Sequence, residues 1–203
     1  ISPLIDNLVN LTSLNLQGNN FTGEIPSEIG NLNNLTSLHL FNNTGFSGGI
    51  PDNLWNLVNL TSLRLEDNEL TGQISPLIDN LVNLTSLNLQ GNNFTGEIPS
   101  EICFFVDSEC QINIYNNNFC PPYPECLTEE DIGYQDTSEC VEYQLGDVNM
   151  DGLLDILDIV LGVNILLDIV EYTDEQYELL DYNQDGECNI LDLVRIIDYI
   201  IGL

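Results

Sequence analysis

Leucine recurs along the first half of the chain at a fixed spacing. The pattern LTSLxL begins at Leu11 and returns at Leu35, Leu60 and Leu84, so successive units are 24, 25 and 24 residues long. Within a unit, Leu14 and Leu16 alternate with polar residues and predict a short strand with one face turned inward. Asn19 follows where the chain must turn, and Phe21, Ile25, Ile29 and Leu32 supply the remaining apolar positions of one coil. Equivalent asparagines at Asn43, Asn68, Asn92 and Asn117 predict a stacked ladder. A fifth, degenerate unit keeps Ile112, Ile114, Asn117 and Phe119, and the stretch Ile1 to Ile29 recurs residue for residue as Ile74 to Ile102. One such coil cannot cover its own apolar face, so stability arises between neighbours and the array needs capped ends.

Past residue 140 the periodicity changes. Ile156, Leu157, Ile159, Val160, Val163, Ile165 and Leu166 form one apolar run, and Ile190, Leu191, Leu193, Val194, Ile196, Ile197 and Ile200 form another, each long enough for a helix. Thr173 to Gln176 reads as a capping box that opens a short helix between them. Between the repeats and these helices, Phe104, Phe105, Phe119 and Tyr123 offer apolar bulk to plug the end of the array, and prolines stop another coil from forming.

Composition then narrows the chemistry. The 203 residues are 43% hydrophobic, enough for one or two domains with a real core. Thirty-three acidic residues face two basic ones, Arg64 and Arg195, for a formal charge of -31. A phosphate backbone needs Lys and Arg to displace its counterions, so nucleic acid is excluded as a partner, and an anionic membrane surface repels the chain for the same reason. Without lysine there is no Walker lysine and no Schiff base, and His39 is the sole imidazole. No apolar run is long and clean enough for a membrane span.

Six cysteines without a CxxC pair read as disulfides, which places the chain outside the reducing cytosol, secreted or at a cell surface. Six allow fifteen connectivities; the working assignment pairs Cys103 with Cys110 and Cys120 with Cys126, and leaves Cys188 apart. Seven N-x-T triplets, at Asn10, Asn20, Asn34, Asn42, Asn59, Asn83 and Asn93, mostly recur at fixed repeat positions, and repeat consensus explains them without glycosylation.

The acidic residues of the tail are spaced, not scattered. Asp147, Asn149, Asp151, Gly152, Leu153, Asp155 and Asp158 occupy positions 1, 3, 5, 6, 7, 9 and 12 of a loop. Asp181, Asn183, Asp185, Gly186, Glu187, Asn189 and Asp192 repeat the layout 34 residues later. Calcium takes six to eight oxygens at roughly 2.3 to 2.6 Å, alternating side chains aim at one centre, and glycine at position 6 permits the turn. Position 7 offers only its carbonyl, so Leu153 and Glu187 can differ. A merely solvated acidic face explains neither the glycines nor the duplicate; two calcium ions are expected.

Two resemblances follow from these motifs. The unit LxxLxLxxNxFxGxIPxxIxxLxx resembles the leucine-rich repeat in its 24-residue, GxIP-containing plant type, over Ile1 to about Phe119. It implies an α/β solenoid with short parallel strands on one face and an irregular or 3-10 convex side, used for protein or peptide binding, with cysteine caps. The duplicated loop-helix, with GDVNMDG and DYNQDGECNILDLV, lacks an EF-hand's entering helix and carries Asp at position 12; it resembles the type I dockerin. That implies a small all-α calcium-folded module over 145–203 that docks onto a cohesin-like protein. In cellulosomal dockerins, positions 10 and 11 are commonly a Ser-Thr-like pair. Here they are Ile156, Leu157, Ile190 and Leu191, so a different cohesin class, another receptor or packing within the chain becomes the expectation.

Residues flanking the inward leucines point out on the concave face. The middle coils stand out, because His39, Phe41, Arg64 and Glu66 put an aromatic, the imidazole and a cation together, with Tyr115 in the same column farther on. These are the candidate contacts for a protein, peptide or glycan ligand. The organisation expected is repeats over 1–119, truncated at the N-terminal side because Ile1 falls inside a unit, a cysteine-containing cap and linker over 120–144, and the calcium module over 145–203. The function expected is non-catalytic recognition coupled to calcium-dependent docking. The alternative is the accessory end of a larger secreted, polysaccharide-degrading enzyme whose catalytic domain lies elsewhere.

Overall fold

A computed structural model of the chain describes residues 1–108, 110–138, 140 and 144–202. The chain divides into two compact units, Ile1–Cys140 and Val141–Leu203.

In the first unit every repeat closes one coil. Strands β1 (Ser13–Asn15), β3 (Ser37–His39), β5 (Ser62–Arg64), β7 (Ser86–Asn88) and β9 (Gln111–Asn113) form one parallel sheet in that order. A second parallel sheet runs β2 (Thr22–Glu24), β4 (Gly45–Gly48), β6 (Glu69–Gly72), β8 (Asn93–Glu97) and β10 (Asn118–Cys120). Register follows the repeat, with Leu14, Leu38, Leu63, Leu87 and Ile112 side by side. Short 3-10 turns fill the return side, opened at Pro26 and Pro51, whose rings fix φ near the value the entry requires. The strand leucines of the three inner coils, Leu38, Leu40, Leu63, Leu65, Leu87 and Leu89, are buried, and Phe94 stacks on Phe119 with ring centres 6.2 Å apart.

Asparagine holds the coils together as the spacing predicts. Asn43, Asn68, Asn92 and Asn117 are buried. Each side-chain amide donates to carbonyls of its own coil and of the coil before, as Asn92 does to Leu89 at 3.0 Å and Leu65 at 3.0 Å. Its oxygen accepts a main-chain N–H of the preceding coil, Leu70 in the case of Asn92. A second ladder runs along the N-L-T triplets. Asn34, Asn59 and Asn83 donate to carbonyls of the preceding coil at 2.8 Å, and the hydroxyls of Thr36, Thr61 and Thr85 do the same. At those three triplets both polar side chains have a structural job, which is why the motif recurs.

The cap differs from expectation in two respects. Its disulfides are Cys103–Cys126 and Cys120–Cys140, not the short loops Cys103–Cys110 and Cys120–Cys126. Helix α1 (Cys103–Asp107) brings Cys103 to the loop after β10, with Cα atoms 5.6 Å apart, whereas Cys110 leads into β9 and packs half-buried against the leucine core. Cys188 is free, as expected. Phe105 and Phe119 plug the end and Tyr123 packs half-buried there, but Phe104 is exposed and Leu127 is buried in the cap instead. Helix α2 (Glu129–Ile132) then leads Gln135 into a parallel bridge with Asn117, so the cap folds onto the repeats beyond Phe119.

The second unit is helical. Helices α3 (Ile156–Leu166), α4 (Asp174–Leu180) and α5 (Ile190–Ile201) enclose Val148, Ile165, Leu180, Leu193 and Ile196. Thr173 and Gln176 close the capping box of α4 read from the sequence. Gly162 sits where a Cβ would fall 2.7 Å from Leu193, so its missing side chain sets the approach of α3 to α5.

Candidate functional site

The two acidic loops share one set of bonds from main-chain N–H groups to side chains. In the first, Asp147 accepts the N–H groups of Asp151 and Gly152, and Asp158 accepts those of Asn149 and Asp155. In the second, Asp181 accepts from Asp185 and Gly186, and Asp192 from Asn183 and Asn189. Asn149 and Asn183 each accept the N–H two residues on, as do Asp151 and Asp185. Gly152 and Gly186 take φ of 83° and 85°, a left-handed turn that suits glycine. Position 9 doubles as a helix cap: Asp155 and Asn189 receive Leu157 and Leu191, and position 12 completes each capping box.

Electrostatically the loops are uncompensated. Asp147, Asp158 and Asp192 are fully buried, and the one ion pair among the described residues lies in the other unit. Burial, with Asp158 and Asp151 beside it, holds the Asp147 carboxyl above the usual range, although loop N–H groups from Gly152 and Asp151 pull it back. Among the described residues no three His, Cys, Asp or Glu side chains converge as a coordination sphere, and the carboxylates turn their oxygens onto loop amides. The donor set nevertheless suits a hard cation. It is oxygen only and anionic, and in each loop a glycine at position 6 makes the turn.

Where each loop becomes a helix, the apolar residues face outward. Ile156 and Ile190 are 62% and 63% exposed, and Leu157, Leu191, Val160 and Val194 are exposed beside them. The duplication thus sets the same aliphatic trio on both helices.

On the repeat sheet, four of the five residues singled out come together. The Arg64 guanidinium lies over the Phe41 ring, 4.1 Å from its centre, and pairs with Glu66. His39 tilts against Phe41 and shares its Nε2 between the hydroxyls of Ser62 at 2.9 Å and Ser37 at 3.2 Å. Burial and then Arg64 keep its pKa below the ordinary value, with Glu66 opposing. Glu66 is buried, and its Oε2 has no partner. Tyr115 stands apart, two strands farther, where a Cβ on Gly133 of the cap would meet it. Regular coils carry Asn15 and Asn88 at the position of His39 and Arg64, and those asparagines accept the N–H two residues on. His39 and Arg64 forgo that bond, so the two middle coils depart from the structural consensus at this spot.

Comparison with known proteins reads the same two halves. A family model described as Leucine Rich Repeat matches residues 10–32, 34–57, 59–81 and 83–105, and one described as Dockerin type I domain matches residues 145–201. The chain is a leucine-rich-repeat protein with a C-terminal type I dockerin domain. Its repeats are similar to Receptor-like protein 39 of Arabidopsis thaliana, 45% identical over 148 residues, which is 72% of this chain and 15% of that protein. Among solved structures, the leucine-rich-repeat ectodomain of the plant membrane receptor kinase GASSHO1/SCHENGEN3 from Arabidopsis thaliana is 32% identical with a TM-score of 0.58, over 62% of this chain and 15% of that one. A plant ice-binding protein is 37% identical with a TM-score of 0.55, over 59% of this chain and 38% of that one. This leucine-rich-repeat dockerin protein thus spans 15% of the curated relative it matches. No helix among its described residues is long and apolar enough to cross a membrane.

Proposed function

We propose that the chain is a non-catalytic adaptor that works outside the cell: the repeat sheet recognises a protein ligand, and the dockerin domain, folded around two calcium ions, docks onto a cohesin-like protein. The observation that carries this reading is the pairing of two acidic loops that share their main-chain bonds with two matching exposed apolar trios. In the first loop Asp147, Asn149, Asp151, Asp155, Asp158 and the Leu153 carbonyl hold the ion; in the second Asp181, Asn183, Asp185, Asn189, Asp192 and the Glu187 carbonyl do. Bound calcium supplies charge neutralisation to buried carboxylates. The protein's own part is to cap α3 and α5 at the same residues, so that loop closure and the display of Ile156 and Ile190 are one event.

The repeat half supports recognition more than catalysis. Ser62 and His39 are the nearest approach to a nucleophile and base, yet the imidazole nitrogen is shared with Ser37, and the N–H of Ser62 is spent on Thr36. Two disulfides and the relationship to plant receptor ectodomains support an extracellular setting.

Calorimetric titration of calcium into EDTA-stripped protein tests the reading, with helical circular dichroism followed in parallel. Two sites and a gain of helix are expected. Absence of heat removes calcium, and with it the docking mechanism, while leaving the repeat array intact.

A further inference from the structure

One repeat sequence is followed by two different neighbours. Residues 1–29 and 74–102 are identical, and the first difference after them sets Gly30 against Cys103. At Gly30 the next coil comes so close that a Cβ would lie 2.1 Å from the carbonyl oxygen of Asn53. A side chain there would force the coils apart. At Cys103 the neighbour is the cap, tied to this residue by the Cys103–Cys126 disulfide with Cα atoms 5.6 Å apart. A tether thus replaces the close contact, and a groove of about 430 Å³ lies between the last regular coil and the cap, a size usual for binding clefts.

The repeat side of the groove supplies Pro76, Pro99, Glu97 and Glu101, and the cap side supplies segment 122–125. In that segment Tyr123 donates its hydroxyl to the carbonyl of Phe119 at 3.0 Å, which fixes the ring, and the disulfides at Cys120 and Cys126 bracket it. Prolines on both sides make stiff, apolar walls that offer no N–H. Among these walls stand three carboxylates, Glu97, Glu101 and Glu125, and no cation. Glu101 accepts the Ser100 hydroxyl at 3.4 Å. The chain has little else to offer them: it has no lysine, Arg64 is paired with Glu66, and Arg195 belongs to helix α5 of the other unit. A second copy brings the same deficit together with its own charge of -31.

We infer that this groove docks a lysine- or arginine-bearing segment of a partner protein, with the aliphatic stem against the proline and tyrosine walls and the cationic head among Glu97, Glu101 and Glu125. Such a side chain answers both features of the groove, because its methylenes cover apolar surface while its charge stays in reach of water and the carboxylates. The Tyr123 ring adds a face that attracts a cation. The groove lies off the sheet that carries His39 and Arg64, so it gives the repeat unit a second, separate contact.

The first copy provides the control. Glu24 and Glu28 stand in an identical segment with the same exposure as Glu97 and Glu101, but beside an ordinary coil and not the cap. Anisotropy of a labelled tetra-lysine peptide should show saturable binding to the full calcium-loaded chain in about 150 mM salt. E97Q/E101Q should weaken it at least about fivefold, E125Q should weaken it from the cap side, and E24Q/E28Q should leave it within about twofold. Tetra-acetyl-lysine, which keeps the stem and loses the charge, should bind at least about tenfold more weakly. Equal losses in the two glutamine pairs reduce the contact to the net charge of the chain and overturn the inference. So do an absence of binding, binding that E97Q/E101Q leaves unchanged, or equal binding of the acetylated peptide. Calorimetry that loses a calcium site in E97Q/E101Q, with the peptide unaffected, assigns the groove to the metal and overturns it as well.

Discussion

Gln135 accepts the main-chain N–H of Phe119 at 3.3 Å, just as Asn117 accepts that of Phe94 at 3.1 Å. Its amide nitrogen donates to the carbonyls of Ile114 and Ile132, the pattern each ladder asparagine makes with the coil before and its own coil. The cap thus imitates a sixth coil with four residues, Ile132 to Gln135, and the longer side chain reaches from a segment paired with the sheet at a single bridge.

Removing that amide orphans the N–H of Phe119 and the carbonyl of Ile132, while the Ile114 carbonyl keeps its bond from Asn117. Q135A should therefore destabilise the repeat unit by about 1–3 kcal/mol, and Q135N, one methylene short, should recover little of it. Urea unfolding followed at Trp55, buried in the repeat core, reads this unit and not the tail. A midpoint equal to wild type contradicts the role assigned to Gln135.

What the residue pattern disclosed and what it hid divide along the same line. The coils were legible because each inward leucine and ladder asparagine recurs, so Leu63 or Asn68 is read five times over. Gln135 occurs once, in a segment with no period, and its partner Phe119 is sixteen residues away; only a search for the interval from Ile114 to Asn117 repeated at Ile132 finds it. The disulfides escaped for a similar reason. Six cysteines leave fifteen pairings open in the sequence, and chain packing through α1 decided Cys126, not Cys110, for Cys103. In the tail, side-chain spacing and helix caps are local, and Asp155 and Asp158 were legible as loop positions before they were visible as the capping box of α3.

The ion pair on the sheet leads to a prediction about order of damage. R64A leaves the buried Glu66 carboxylate with neither oxygen partnered and should cost about 1–3 kcal/mol, below the range for a fully buried pair because Arg64 is half exposed. E66Q added to R64A should restore part of it. The sole imidazole reports the same change. His39 titrates below its ordinary value, and R64A should raise its pKa by removing a neighbouring cation, while E66Q should lower it further. Because the folded value is depressed, the stability tied to neutral His39 is present above the unfolded pKa and lost as pH falls through the folded one. Proton NMR of the one histidine follows both shifts; an R64A pKa that stays put or falls breaks the argument.

Cys110 should behave as an inert thiol. Burial pushes it up to about 11, against a hydrogen bond from Leu87 that favours the thiolate. Alkylation at pH 8 should be slow in the folded protein and fast in urea. The linked stability runs the same way. Neutral Cys110 contributes below the unfolded pKa near 9, and the contribution is lost as pH rises through about 11, a slope that C110A should flatten. Rapid labelling of the native protein at pH 8 places this sulfur in solvent.

The duplicated helix face makes the sharpest functional prediction. Ile156 and Ile190 occupy the same place in two loop-helix units, are exposed to the same extent, and are followed by the same pair of exposed neighbours. If a partner reads either face, rotating the domain about its internal repeat exchanges one for the other. Each of I156D and I190D should then weaken binding of a cohesin-like partner only about twofold, the statistical loss of one of two modes. The double variant should lose at least about a hundredfold, because both faces then carry a carboxylate into an apolar contact. Calcium affinity should not change in any of them, since neither side chain supplies a ligand and both are exposed to solvent. Surface plasmon resonance against the immobilised partner measures the first effect and calorimetry the second. Should either single variant abolish binding while calcium is retained, one face alone does the docking and the symmetry is inherited without being used.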